Sequence, residues 1–203
     1  ERISAAINSV RFPVQSGTEE SISLNGRFTE IRVDGTWRVE IRQNPALQEN
    51  RVVLTFDSGM ADAVRYDIDG RELDLSLGRV RLSGGTWVPS AQIIVSDLRD
   101  LELDGTSRAQ LLDLELGDLE LQLDGATRLS ASGGSVRSLD LEVDGVAQAD
   151  LSTMVVTNAK VEIDGASRVE LQMDGGDLEG DLDGTARLTV SGTVRNRDLS
   201  LDG

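Results

Sequence analysis

Asp recurs at positions 104, 124, 144, 164, 183 and 202, and a Gly follows it every time. Carboxylates at a fixed step can do two kinds of chemistry. Two of them, one protonated and one ionised, can cleave a glycosidic bond; several with converging oxygens can hold a hard cation such as Ca²⁺. The remaining composition narrows the choice. The 203 residues include no His and no Cys, which excludes Ser-His-Asp and Cys-His nucleophiles, disulfides, thiolate metal sites and the usual neutral-pH proton shuttle. Arg supplies every basic residue except Lys160. Glu102, Asp104, Glu142, Asp144, Glu162 and Asp164 recur in register, as on a solvated outer face, whereas an active site needs a unique constellation. The expectation is therefore a protein that is not an enzyme, with a polysaccharide-active enzyme using paired carboxylates as the alternative.

The elements that would position these carboxylates follow from the same spacing. Leu101-Glu102-Leu103-Asp104-Gly105 returns as Leu121-Gln122-Leu123-Asp124-Gly125, as Leu141-Glu142-Val143-Asp144-Gly145 and as Val161-Glu162-Ile163-Asp164-Gly165, then at Leu182-Asp183-Gly184 and Leu201-Asp202-Gly203. Apolar, polar, apolar alternation has the period of a strand with one buried face. A second alternating run follows each Gly, as in Leu129-Ser130-Ala131 and Val169-Glu170-Leu171, and a third short one is suggested by Leu114-Glu115-Leu116 and Met154-Val155-Val156. One such coil cannot bury its inward face alone. Stacked coils can, with Leu101, Leu121, Leu141 and Val161 as one column and Leu103, Leu123, Val143 and Ile163 as the next. The fold expected is all-β, a right-handed parallel β-helix with coils of about twenty residues.

Within that fold the Asp-Gly corner has a structural role and a binding role. In the first, Gly105, Gly125, Gly145, Gly165 and Gly184 take positive φ, Asp104, Asp124, Asp144, Asp164 and Asp183 accept turn N–H groups, and Arg108, Arg128, Arg168 and Arg187 offset the stacked charge. In the second, oxygens of adjacent coils bind Ca²⁺; Gln148 leaves Asp144 without an Arg, so Asp124, Asp144 and Asp164 form the candidate cation level. No other cofactor is expected. Trp37, Tyr66 and Trp87 could form a ligand platform, though isolated aromatics are usually packing.

Residues 1–100 are less regular. Phe28 to Ile41 reads as two strands around Asp34-Gly35, and Ile68-Asp69-Gly70 to Leu75 repeats the pattern, with longer connections between. They are read as irregular, wider coils capping the regular Asp-Gly coils of 101–203 in one continuous domain. The formal charge of −16 repels phosphate backbones and argues against nucleic acid. No apolar run is long enough for a membrane span. A start at Glu1 fits a chain from which a signal peptide has been removed.

Phe28-Thr29-Glu30-Ile31-Arg32-Val33-Asp34-Gly35, then Val39-Glu40-Ile41-Arg42-Gln43, then Asp69-Gly70-Arg71-Glu72-Leu73-Asp74-Leu75 and the small-residue repeats resemble the auto-transporter adhesin head domain family, also called the head GIN domain, over residues 25–203. The family's usual Ser-Gly-Ala-Ser corner is Asp-Gly here, so a Ser-specific corner role does not carry over. The resemblance implies a secreted bacterial β-helix protein of the cell envelope, periplasmic or exported to the surface. It further implies an adhesin or ligand-binding scaffold whose partner is an envelope or host surface component, glycan or protein. An envelope-sensing or assembly module is the competing role. The stack ends at Leu199-Ser200-Leu201-Asp202-Gly203 with an open strand edge, which predicts end-to-end homo-oligomers through the C-terminal coil.

Overall fold

Alternation along residues 108–123 changes phase twice, and each change marks a bend. Ala109 and Leu111 are buried, then Leu114 and Leu116, then Leu119, Leu121 and Leu123. Three flat sides result, called here sides 1, 2 and 3, and the four residues 104–107 or 124–127 close the coil at the corner between sides 3 and 1. A computed structural model describes residues 19–78 and 88–202 of the chain. Its strands are β1 (Glu19–Gly26), β2 (Glu30–Asp34), β3 (Arg38–Gln43), β4 (Asn50–Asp57), β5 (Val64–Asp69), β6 (Glu72–Leu77), β7 (Ser90–Val95), β8 (Asp100–Leu103), β9 (Arg108–Leu123), β10 (Arg128–Val143), β11 (Gln148–Ile163), β12 (Arg168–Asp174), β13 (Asp177–Asp183), β14 (Arg187–Thr193) and β15 (Asn196–Asp202).

From β8 onward every pairing is parallel. β9, β10 and β11 stack with Arg108 opposite Arg128 and Arg128 opposite Gln148, a step of one repeat, so the chain is a parallel β-helix. Leu101, Leu121, Leu141 and Val161 form one buried column and Leu103, Leu123, Val143 and Ile163 the next. Burial of such aliphatic side chains is worth about 1.5–3 kcal/mol each. The shorter step after Asp164 has a local cause. Leu151 pairs with Leu171 but Val155 pairs with Gln172, so side 2 is cut back before the chain turns at Gly175-Gly176.

The corner explains the Gly. Gly125 has φ +80, and a Cβ there would sit 2.6 Å from the carbonyl oxygen of Gly105 in the neighbouring coil. The backbone must come this close because Ala126 N–H donates to that oxygen at 2.8 Å. Ser107 and Ser167 fill the inside of the corner and bridge coils: Ser107 Oγ donates to Gly35 O and accepts from Trp37 N–H, while Ser167 Oγ donates to Gly145 O and accepts from Ala147 N–H.

The first half differs from a set of wider coils. β2 and β3 make one coil, and they pair in parallel with β6 and β7 on one flank and with β8 and β9 on the other. The chain therefore leaves the stack after β3, and what it builds outside is antiparallel: β1 on β4, β4 on β7 and β5 on β6. Asp69-Gly70 is not a solenoid corner. Asp69 faces Glu72, so it belongs to a tight hairpin. Period-two alternation reads the same in parallel and antiparallel strands, and so could not separate the two.

Two side chains stand in for backbone where the irregular part meets the stack. Gln43 Oε1 accepts from Glu115 N–H at 2.7 Å and its Nε2 donates to Glu115 O at 3.2 Å, serving side 2 of β9 as a strand would. Asn50, 1% exposed, accepts from Ser96 N–H at 2.8 Å and donates to Phe28 O. Each buried polar group so placed is satisfied, which is the condition for burying it.

Candidate functional site

Side 3 turns Leu inward, so alternation turns every second residue outward, and those residues stack into columns along the whole molecule. Glu72, Glu30, Asp100, Glu120, Asp140, Lys160, Glu179 and Asp198 lie opposite one another in that order. Beside them run Asp74, Arg32, Glu102, Gln122, Glu142, Glu162, Asp181 and Ser200. The corner Asp residues form a third column. Asp124, Asp144 and Asp164 donate their N–H groups to Leu103, Leu123 and Val143 of the coil beneath, and Asp183 faces Asp202. Neighbouring strands are about 4.8 Å apart, and like charges directly opposite repel. Side 3 is thus a flat, densely anionic face.

Cations relieve that repulsion at a few points. Arg32 pairs with Glu102, Arg71 with Glu30 at 2.8 Å, and Lys160 with Glu162 at 2.6 Å while reaching Asp140 at 4.0 Å. The hydrogen bond to Glu162 and the charge of Asp140 raise the Lys160 pKa. Asp100, between Glu30 and Glu120, has no such relief among the described residues. Partial burial and then the charges of Glu120, Glu30, Glu102 and Glu72 push its carboxyl up to about 6. Asp183 is also held above the usual carboxylate range, by desolvation and then by Asp164 and Asp202.

Around the corner, on side 1, the chain stacks the opposite charge. Arg38, Arg108, Arg128, Gln148, Arg168 and Arg187 form one column. Among the described residues no ion pair joins these Arg to the corner Asp; Arg128 Nε instead donates to Gln148 Oε1 at 3.0 Å. Among the described residues there is also no group of three or more Asp or Glu arranged to hold a metal ion, the Asp124, Asp144 and Asp164 level included. A shallow groove of about 500 Å³ follows the edge between sides 2 and 3, lined by Arg99, Asp118, Glu120, Asp140, Lys160 and Asp177. Arg137 and Arg195 border it, paired to Asp118 at 2.8 Å and Asp177 at 2.9 Å.

Of the candidate platform aromatics that the structure describes, Trp37 is in the core and Tyr66 is at the surface. Trp37 is fully buried and its Nε1–H donates to Asp34 O at 3.1 Å; Tyr66, 38% exposed, is on β5. Trp87 lies outside the described residues. The carboxylates of the first two columns were within reach of sequence reasoning, since Glu120, Asp140 and Glu142 keep the step of the corner Asp.

The described coils form a parallel solenoid with an anionic side 3 and a column of Arg on side 1, the architecture of a repeat protein. The family model described as "Putative auto-transporter adhesin, head GIN domain" matches residues 27–157, and the chain belongs to that family. A putative adhesin from Bacteroides fragilis NCTC 9343 shares the fold, with a TM-score of 0.67, 10% identity, and coverage of 91% of this chain and 94% of that one. Also similar are a putative lipid binding protein from Parabacteroides distasonis ATCC 8503 (TM-score 0.48, 13% identity, 90% and 97% covered) and a putative adhesin from Parabacteroides merdae ATCC 43184 (TM-score 0.43, 13% identity, 92% and 96% covered). No curated protein matches the sequence.

Proposed function

We infer that the chain is a non-catalytic adhesive scaffold of the bacterial cell envelope, exported to the periplasm or the surface, and that side 3 is its binding face. One observation carries this reading: carboxylates recur on side 3 from coil to coil through β8 to β15, interrupted by Lys160 in one column and by Gln122 and Ser200 in the other, so the anionic surface is extended along the stack. Repetition suits an extended partner held by many weak contacts, whose sum is large even when each is small. Hydrolysis would require one matched pair, a carboxylic acid and a carboxylate acting as nucleophile or as general base. The partner is a basic or hydroxyl-rich glycan or protein of the envelope or of a host surface, drawn in by the field of the face.

The test is binding of the full chain to arrayed glycans and surface proteins at two salt concentrations. The expected result is binding that weakens with salt and falls stepwise as Glu120→Gln, Asp140→Asn and Glu142→Gln are combined, with no turnover. Release of reducing ends that is abolished by changing a single carboxylate would overturn the reading in favour of a polysaccharide-active enzyme.

A further inference from the structure

The corner between sides 3 and 1 carries three outward columns side by side. Asp124, Ala126 and Arg128 are exposed in one coil and Asp164, Ala166 and Arg168 in another, while Thr127 and Ser167 between them turn inward. The order across the corner is thus a carboxylate, a short side chain and a guanidinium. It holds from Asp104-Thr106-Arg108 to Asp183-Thr185-Arg187, with Gln148 in place of one Arg. Like charges follow one another along each outer column at about 4.8 Å, where they repel. Among the described residues no ion pair joins the Arg column to the Asp column to offset this. In the middle column Val146 is 63% exposed.

We propose that a second copy of the chain docks on this corner with its stack parallel to the first, related by a two-fold axis that runs along the column of short residues. Such an axis reverses the order of the columns across the strip and keeps every residue at its own height. Arg108 then faces Asp104 of the second copy, Arg128 faces Asp124, Arg168 faces Asp164 and Arg187 faces Asp183, and the symmetry makes each pair twice. The short residues lie on the axis, so Ala126 meets Ala126 and Val146 meets Val146.

Charge complementarity selects this occupant. A partner for the strip needs an acidic and a basic ladder in the opposite order at the strand spacing, and a second copy supplies both by construction. The orientation is fixed by the same ladders, because a two-fold across the stack would set Asp on Asp and Arg on Arg. A slip of one coil would take Val146 off its counterpart and lose a level of pairs. Short residues at the apex let the two corners approach, and Arg is long and forked enough to reach a carboxylate on the far side. Each chain carries a charge of −16, but at 0.1 M salt that repulsion is screened beyond about 10 Å, whereas the paired groups are in contact. The strip is narrow, so the dimer is a weak one. It leaves open the first two carboxylate columns of side 3, and so goes beyond the binding role assigned to that face.

The experiment uses the full chain, which has no native Cys. Sedimentation at rising concentration should show a reversible dimer and no larger species, weakened about tenfold when salt rises to about 1 M and the screening length falls to about 3 Å. Ala126→Cys alone should oxidise to a covalent dimer, since a residue on the two-fold meets its own counterpart, while the equally exposed Gln110→Cys, off the axis, should not. Arg128→Asp should weaken dimerisation about tenfold. Adding Asp124→Arg should restore it, because the double variant again sets Arg against Asp; circular dichroism checks that each variant folds. A strict monomer up to about 1 mM would overturn the proposal, including one whose Arg column captures an anionic polymer instead. So would cross-linking at 110 as efficient as at 126, or a charge exchange that fails to restore the dimer.

Discussion

Replacing Asp100 with Asn should stabilise this protein at neutral pH. The carboxyl titrates near 6 instead of near 3.8 because it is partly buried in a column where Glu30 and Glu120 face it on either side. A difference of that size corresponds to about 3 kcal/mol between charged and neutral forms. The group is only half-buried, and solvent screening reduces the usable part to about 1 kcal/mol. Because the folded pKa lies above the unfolded one, the folded chain holds the extra proton between about pH 4 and about 6. Stability contributed by the neutral form is therefore present below that window and lost as pH rises through it. Asn cannot ionise and keeps the neutral shape throughout. Thermal melts should show the variant ahead by about 2–4 °C at pH 8 for a chain of this size, level with the parent at pH 4, and less far ahead in high salt. An equal gain at both pH values, or a loss at pH 8, would refute the electrostatic account of this column.

Gly125→Ala should cost clearly more than Gly70→Ala in chemical denaturation. Both have positive φ, which costs about 1 kcal/mol for Ala, but the Cβ at 125 also meets the Gly105 carbonyl oxygen at 2.6 Å while nothing lies within 4 Å at 70. Leu141→Ala, at a fully buried position between Leu121 and Val161, should cost about 2–5 kcal/mol and loosen amide protection in the adjacent coils before distant ones. Lys160→Gln removes the cation shared by Asp140 and Glu162; its melting temperature should fall, and fall further at low salt than at high. Millimolar Ca²⁺ should raise the melting temperature no more than Mg²⁺ at equal ionic strength, since the described carboxylates form no cluster fit for a metal ion. A gain selective for Ca²⁺ would establish the Asp124, Asp144 and Asp164 level as a cation site.

The regular half of the fold was legible because its cause is local and repeated. Leu121, Leu141 and Val161 recur at the coil step, and only stacking buries them together. Side 2 was harder to read, since Gly133-Gly134 and Gly175-Gly176 interrupt the alternation that marks it; the structure keeps it in β10 and shortens it after β12. The neighbours of β2 were not legible at all. Which strands flank Ile31 depends on where the chain returns after residues 44–71, and no pattern in those residues encodes the return. The candidate site was read one column too narrowly. Attention to Asp-Gly found the corner carboxylates, but the face is an area, and Glu120 and Asp140 matter because of what lies beside them across strands. The Arg column likewise follows the repeat without pairing to the Asp, since the corner separates the two.

In chain order β2 and β3 come before β6 to β9, yet in space they lie between them: Arg38 faces Ser90 on one flank and Arg108 on the other. A molecule under tension would register that arrangement. Pulled at β15, the described coils can shed β15, then β14, each departure freeing one ladder among the described residues, as coins leave a roll. Pulled from the opposite end, β1 unzips from β4, and the next coil is clasped on both flanks and cannot leave until one of them opens. The chain yields by small steps in one direction and by a single large rupture in the other, so the end by which it is anchored decides how much load it bears.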